Sequence, residues 1–329
     1  MSTIAWAPWD MPDGTFQRVY DLLDVDDRRA LRAVSREGKA LVHAHARAVD
    51  MAPLPPLVRG PTSAFSKKDV KALLRDGPMY QLRHLRCPYN TCGTLSLRRL
   101  TAGAAPMLQT LDLGYTDLDP GSFRALVASP LRASLRELKL GACKLGIPEL
   151  AVLCESPWFS LRALDLARNH VHASPPLAVQ RLMASLPLSM PSLVALDVSH
   201  TGSAFASTVF EHLPAFRALE ELRIDGTGPA LLPRLPPSAA PPLKKLSFGG
   251  GLLDEAIVDT VLSCFSPTLE SLCLAGCRVR VSFSVGFPGA PGVRRCLTTV
   301  AKNCRRGWTG LSGPRRCPRR SGRPCGTWT

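Results

Sequence analysis

LRALDLARN, residues 161–169, places leucine at its first, fourth and sixth positions and a small polar residue at its ninth. The fourth and sixth positions alternate with polar neighbours, which suits a short strand with one buried face. The same LxxLxL frame occurs upstream as LRHLRC from Leu82, LQTLDL from Leu108 and LRELKL from Leu135. Downstream it returns as LVALDV from Leu193, LEELRI from Leu219, LKKLSF from Leu243 and LESLCL from Leu269. The eight starts lie 26, 27, 26, 32, 26, 24 and 26 residues apart. A fixed period in the twenties predicts stacked supersecondary units and directs the functional question toward binding.

The ninth position holds Asn90, Thr116, Cys143, Asn169, Thr201, Thr227, Gly251 and Cys277. Seven of these eight are Asn, Cys or Thr, small side chains able to bond backbone where the chain turns off the strand. Leu118, Leu145, Val171, Leu253 and Val279 supply an apolar eleventh position in five repeats. The frame resembles the leucine-rich repeat, L-x-x-L-x-L-x-x-N/C-x-L, of the ribonuclease-inhibitor-like type. The resemblance covers residues 82–280 and implies an α/β solenoid, with parallel strands on the concave side and helices on the convex side. The returns PGSFRALVASP after Asp119, IPELAVLCESP after Gly146 and DEAIVDTVLSCF after Leu253 have helical spacing with plausible starts or stops. The sixth return, PRLPPSAAPP from Pro233, is excluded from helix by its prolines. The fourth return is five or six residues longer than the rest.

The fifth repeat position is expected to face out of the concave arc, and it reads Arg86, Asp112, Lys139, Asp165, Asp197, Arg223, Ser247 and Cys273. One reading is a ladder of neighbouring opposite charges that satisfy one another. The other is a partner-reading surface with Asp165 and Asp197 as its acidic centre. Tyr89, Tyr115, Arg168 and His200 fall on the ascending edge, and Tyr and Arg are the residue types that dominate binding hot spots. Partner contact is therefore expected of Tyr89, Asp112, Tyr115, Lys139, Asp165, Arg168, Asp197, His200 and Arg223.

Ahead of the array, residues 1–50 are expected to form a small helical module, since Val19, Leu22, Leu23, Leu31, Val34 and Leu41 recur at three- and four-residue spacings. Residues 51–81 are expected to form a proline-rich linker and a capping helix, with capping-box spacing from Ser66 to Asp69. Met11-Pro12, Val19, Leu22-Leu23, Asp27, Leu31 and Val34-Ser35-Arg36 resemble an F-box, with Gly38 where that family has an aromatic residue. The resemblance implies that Met11, Pro12, Val19, Leu22, Leu23, Leu31 and Val34 contact a Skp-type adaptor of a cullin–RING ubiquitin ligase. The repeats would then select the protein to be ubiquitinated, as in F-box proteins that carry leucine-rich repeats. The alternatives are a helical cap on the first repeat and a scaffold or adaptor (cytoskeletal, ciliary or signalling) without ligase attachment.

No enzyme is expected. Gly249-Gly250-Gly251 lacks the Lys-Ser/Thr of a phosphate loop, and no Gly-x-Ser-x-Gly, H-E-x-x-H or CxxC occurs. His43 with His45, and His170 with His172, have no carboxylate or Cys beside them, so no metal and no cofactor is expected. Cys143, Cys264, Cys273 and Cys277 fall on repeat or helix positions and are expected as buried structural thiols. Of 41 basic residues, twelve lie beyond Glu270, the last acid, leaving 29 against 26 acids in the rest. Most of the net charge of +15 therefore lies beyond Glu270, ten of those twelve basic residues falling in the tail, 281–329, where low periodicity predicts disorder. Arg315-Arg316, Arg319-Arg320 and Arg323 could touch nucleic acid there, but only Trp308 and Trp328 interleave, too few for stacking. The tail's Gly-Arg-Pro-Cys-Thr-Trp composition also resembles a GC-rich segment read out of frame. The opening MSTIAWAPWD has no basic n-region or long apolar run, and no 18-residue apolar stretch follows. These features predict a cytoplasmic or nuclear protein that does not enter a membrane.

Overall fold

The computed structural model describes residues 48–50, 79–89, 94–171, 175–226, 241–249, 252–253, 265, 267–273 and 278–279. Among the described residues, nine short strands form one parallel sheet in chain order. They are β1 (Ala48–Asp50), β2 (His84–Arg86), β3 (Thr110–Asp112), β4 (Glu137–Lys139), β5 (Ala163–Asp165), β6 (Ala195–Asp197), β7 (Glu221–Arg223), β8 (Lys245–Ser247) and β10 (Ser271–Cys273). A separate parallel pair joins β9 (Leu252–Leu253) to β11 (Arg278–Val279) at the eleventh repeat position. In the large sheet, third, fourth and fifth positions pair with their own kind from β2 onward. Leu85, Leu111, Leu138, Leu164, Leu196, Leu222, Leu246 and Leu272 thus stand in one buried row. A slip by one residue would turn that row to solvent, so the leucines fix the register.

The helices cover the leucine face. They are α1 (Thr94–Arg99, continued by a π turn over Leu100–Ala104), α2 (Pro120–Ala128), α3 (Leu131–Ser134), α4 (Ile147–Cys154), α5 (Pro176–Ser189) and α6 (Ser203–His212). Phe123, Leu126, Leu153, Met183, Leu186, Phe205 and Phe210 from these helices share one core with the strand leucines. Local chemistry starts them: the Asp119 carboxylate accepts the Ser122 N–H at 2.9 Å ahead of α2, and the Glu149 carboxylate accepts the Gly146 N–H at 2.9 Å ahead of α4. The long fourth return is explained by α5, fourteen residues with Pro187 inside it. Trp158, fully buried between α4 and β5, ties returns together: Nε1 donates to the Leu153 carbonyl at 3.0 Å, and its backbone N–H to that of Ser189 at 2.7 Å.

The sheet is one strand longer than the eight-fold period indicates. Ala48–Asp50, which falls at the end of the expected helical module, pairs in parallel with β2, Val49 opposite Leu85. ARAVDM from Ala46 carries Val49 and Met51 at the fourth and sixth places of the frame, with alanine replacing the first leucine, 36 residues before Leu82. One missing leucine and a long interval hide that strand from a period search. The F-box-like residues Met11, Pro12, Val19, Leu22, Leu23, Leu31 and Val34 lie outside the described residues. So do the expected linker and capping helix up to residue 78, the proline-rich sixth return, most of the seventh return and the 281–329 tail.

Candidate functional site

Among the described residues, the ninth positions Cys143, Asn169 and Thr201 close their strands from inside. Asn169 is 2% exposed and uses its whole amide: Oδ1 accepts the N–H groups of Cys143 (3.1 Å) and Leu145 (3.0 Å). Its Nδ2 donates to the carbonyls of Leu140 and Leu166, both at 2.9 Å. Thr201 donates through Oγ1 to the Val198 carbonyl, and Cys143 through Sγ to the Leu113 carbonyl at 3.1 Å. Burial pushes the Cys143 thiol up to about 12, so it stays protonated and unreactive. Cys273 is half-buried, while Cys264 and Cys277 lie outside the described residues.

One residue earlier, the backbone enters the left-handed region at each described eighth position. Tyr89 (φ 59°), Tyr115 (57°), Ala142 (56°), Arg168 (60°), His200 (59°) and Gly226 (66°) share this conformation. It turns each N–H toward the carbonyl of the next repeat's seventh residue, as from Tyr115 to Gly141 (2.7 Å) and Arg168 to Ser199 (2.7 Å). A left-handed conformation costs a residue with a Cβ roughly 1–2 kcal/mol. The gain is a ladder continued past the strand and a side chain set on the exposed edge. Tyr89 and Tyr115 are 55% and 48% exposed, yet their rings stack on each other with centroids 4.8 Å apart. The His200 imidazole occupies the space that a Cβ at Gly226 would need.

The fifth position departs from the expected charge ladder. Arg86 does pair with Asp112 across one strand step, at 3.3 Å. Lys139, by contrast, pairs with Glu137 on its own strand at 3.0 Å, while the cross-strand pair of Lys245 with Glu221, at 2.5 Å, belongs to the third position. Asp112, one of the expected contacts, is only 7% exposed, and its Oδ1 accepts the Gly114 N–H at 3.0 Å. Asp165 and Asp197 accept the N–H two residues on in the same way, from Ala167 and Ser199, each at 2.9 Å. These aspartates therefore have a structural use as strand-end acceptors besides any contact with a partner. Unlike Asp112, both remain partly exposed, side by side in register, and no salt bridge reaches either among the described residues.

Burial, and then the neighbouring Asp197 carboxylate, push the Asp165 carboxyl up to about 6 from an ordinary 3.8. The folded state holds this proton more tightly than the unfolded chain, so stability falls as pH rises from about 4 to about 6. Asp165→Asn keeps an acceptor for the Ala167 N–H and removes the charge. It is expected to stabilise the fold at pH 7 by on the order of 1–2 kcal/mol after allowing for partial exposure, and by nothing near pH 4. Urea unfolding of both proteins at the two pH values checks this; a wild type more stable at pH 7 contradicts it.

The third position, absent from the expected contacts, lines the same face. His84, Thr110, Glu137, Ala163, Ala195, Glu221, Lys245 and Ser271 stand two residues before the fifth-position row. The alternation that exposes the fifth position exposes the third equally, and could have found them. Ala163 and Ala195 lie opposite each other beside Asp165 and Asp197, making a low acidic centre between Glu137 and Glu221. His170 is exposed, His172 lies outside the described residues, and no metal-holding group of three or more His, Cys, Asp or Glu occurs among the described ones. No helix among them is long and apolar enough to cross a membrane.

No family model matches the chain, and no curated protein sequence matches it. Among solved structures it is similar to the tropomodulin C-terminal domain of Caenorhabditis elegans, at 17% identity over 40% of this chain and 83% of that one, TM-score 0.31. It is also similar to the leucine-rich repeat-containing protein LegL7 of Legionella pneumophila, at 15% identity over 72% and 77% of the two chains, TM-score 0.42. A third similar chain comes from the mouse RP105/MD-1 complex, at 18% identity over 66% of this chain, TM-score 0.36; the match spans 41% of that chain's length.

Proposed function

We propose that this chain is a non-enzymatic, protein-binding repeat scaffold whose concave strand face reads a protein partner. The observation that supports this most is the unbroken parallel register, which holds two rows of third- and fifth-position side chains on a stiff backbone. The contacts assigned to the partner are Lys139, Asp165, Asp197 and Arg223 on the face, with Tyr89, Tyr115, Arg168 and His200 on its ascending edge. The acidic centre favours a partner that brings a basic side chain to Asp165 and Asp197. Peptides selected from a displayed random library on the wild-type protein are expected to bind several-fold more weakly to an Asp165→Asn/Asp197→Asn double variant, with melting unimpaired. Selected peptides indifferent to the double variant would remove the face from the binding role.

A finer reading joins this scaffold to a ubiquitin ligase as its substrate receptor, and it rests on the F-box-like residues from Met11 to Val34. In that reading the module docks on a Skp-type adaptor of a cullin–RING ligase and the repeats hold the target. Co-purification with a purified Skp-type adaptor, lost on deleting residues 11–42, is the expected result. Association that persists after the deletion sinks the assignment of the module.

A further inference from the structure

The ascending row changes character from repeat to repeat while its backbone does not: Tyr89, Tyr115, Ala142, Arg168 and His200 share one left-handed conformation. The Tyr89 and Tyr115 rings lie 4.8 Å apart with 15° between their planes. That spacing equals the step of about 4.8 Å between neighbouring strands, so the stack advances one ring per repeat. In the third repeat no ring is present, because the Ala142 side chain ends at Cβ. The next planar group is the Arg168 guanidinium, whose Nη2 lies 3.4 Å from His200 Nε2. Tyr115 and Arg168 stand two strand steps apart along the row, about 10 Å. A planar group stacked on Tyr115 needs about 3.5 Å of that interval, so the two-step span has room for one.

We propose that the place above Ala142 receives an aromatic side chain of a protein partner, which continues the Tyr89–Tyr115 stack and is flanked on its far side by Arg168. This rests on the protein-binding reading above and gives it a partner chemistry. Charge separates a side chain from a nucleobase, which would stack equally well. A nucleobase brings a phosphate toward the fifth-position row, where Asp165 and Asp197 stand together. A peptide with Lys or Arg near its aromatic residue meets those carboxylates favourably.

Ala142→Tyr puts the protein's own ring into the place, and Tyr89 and Tyr115 show that tyrosine adopts this backbone conformation. Ala142→Gly leaves the place open. Peptides selected from a displayed random library on the wild type are expected to carry an aromatic residue near Lys or Arg. Their affinity is expected to fall roughly tenfold or more in Ala142→Tyr and to stay within about twofold in Ala142→Gly. Should Ala142→Tyr melt early, Tyr115→Gly, which suits φ 57° and removes the stacking face, is expected to lose the same affinity. Selected peptides without an aromatic residue, or affinity that survives these variants, overturn the proposal. So does an oligothymidine that binds and is displaced by Ala142→Tyr. Peptides that depend on Asp165 and Asp197 but not on Ala142 leave the scaffold reading standing and remove only this slot; failure to select any peptide removes both.

Discussion

Leu164→Asp is expected to destroy the cooperative fold of the central repeats. Leu164 is 2% exposed in the middle of the leucine row, paired with Leu138 on one side and Leu196 on the other. The substitution deletes most of a buried leucine, worth about 2–5 kcal/mol in comparable cores, and leaves a carboxylate without a partner in an apolar layer. A total on the order of 5 kcal/mol or more approaches the whole stability of an ordinary domain. In a solenoid each repeat is supported only by its neighbours, so the damage spreads to the third and fifth repeats before reaching the ends. Circular dichroism melting and limited proteolysis read this directly: early cleavage in the central repeats is expected. A variant that melts like the wild type would mean that the strand register is wrong.

The second large effect is Asn169→Ala. The substitution removes no apolar surface, yet it leaves two buried N–H groups, of Cys143 and Leu145, and two carbonyls, of Leu140 and Leu166, without the amide that pairs them. A buried polar group left unpaired costs about 1–3 kcal/mol, and a small cavity could admit water to one or two of the four. The expected loss is on the order of 3–5 kcal/mol, read as a shift in urea midpoint with an unchanged slope. Asn169→Asp serves as a contrast: it keeps the two acceptor bonds from Cys143 and Leu145, loses both donor bonds, and adds buried charge. A loss below about 1 kcal/mol for the alanine variant would show that the amide is replaceable by solvent.

Much of this was legible in residue order. The spacing of leucines at the first, fourth and sixth places set the strands, their parallel direction and the buried row, because a two-residue alternation admits only one inward face. The ninth-position residues were legible as turn-bonding side chains, and the 32-residue fourth interval as an enlarged return. The strand at Ala48–Asp50 was not legible, since Ala46 lacks the side chain that marks a repeat start and only pairing with β2 makes the segment a strand. For the site, the sequence exposed the fifth row but could not rank its members. Asp112 and Asp165 have the same position in the frame and the same leucine on each side. Asp112 is covered and paired with Arg86, whereas Asp165 sits beside a second aspartate, and burial holds its carboxyl above the usual carboxylate range.

What the sequence determined by itself, then, is the repeat and its register, because a periodic apolar pattern has one low-energy way to bury itself and that solution depends only on contacts between adjacent repeats. What the tertiary structure decided is which side chains are free to act. That Arg86 reaches Asp112 and that Tyr89 stacks on Tyr115 follow from distances between residues 26 positions apart. Those distances are set by the approximately 4.8 Å strand spacing and the left-handed turn at each strand end, neither of which is written in any single repeat.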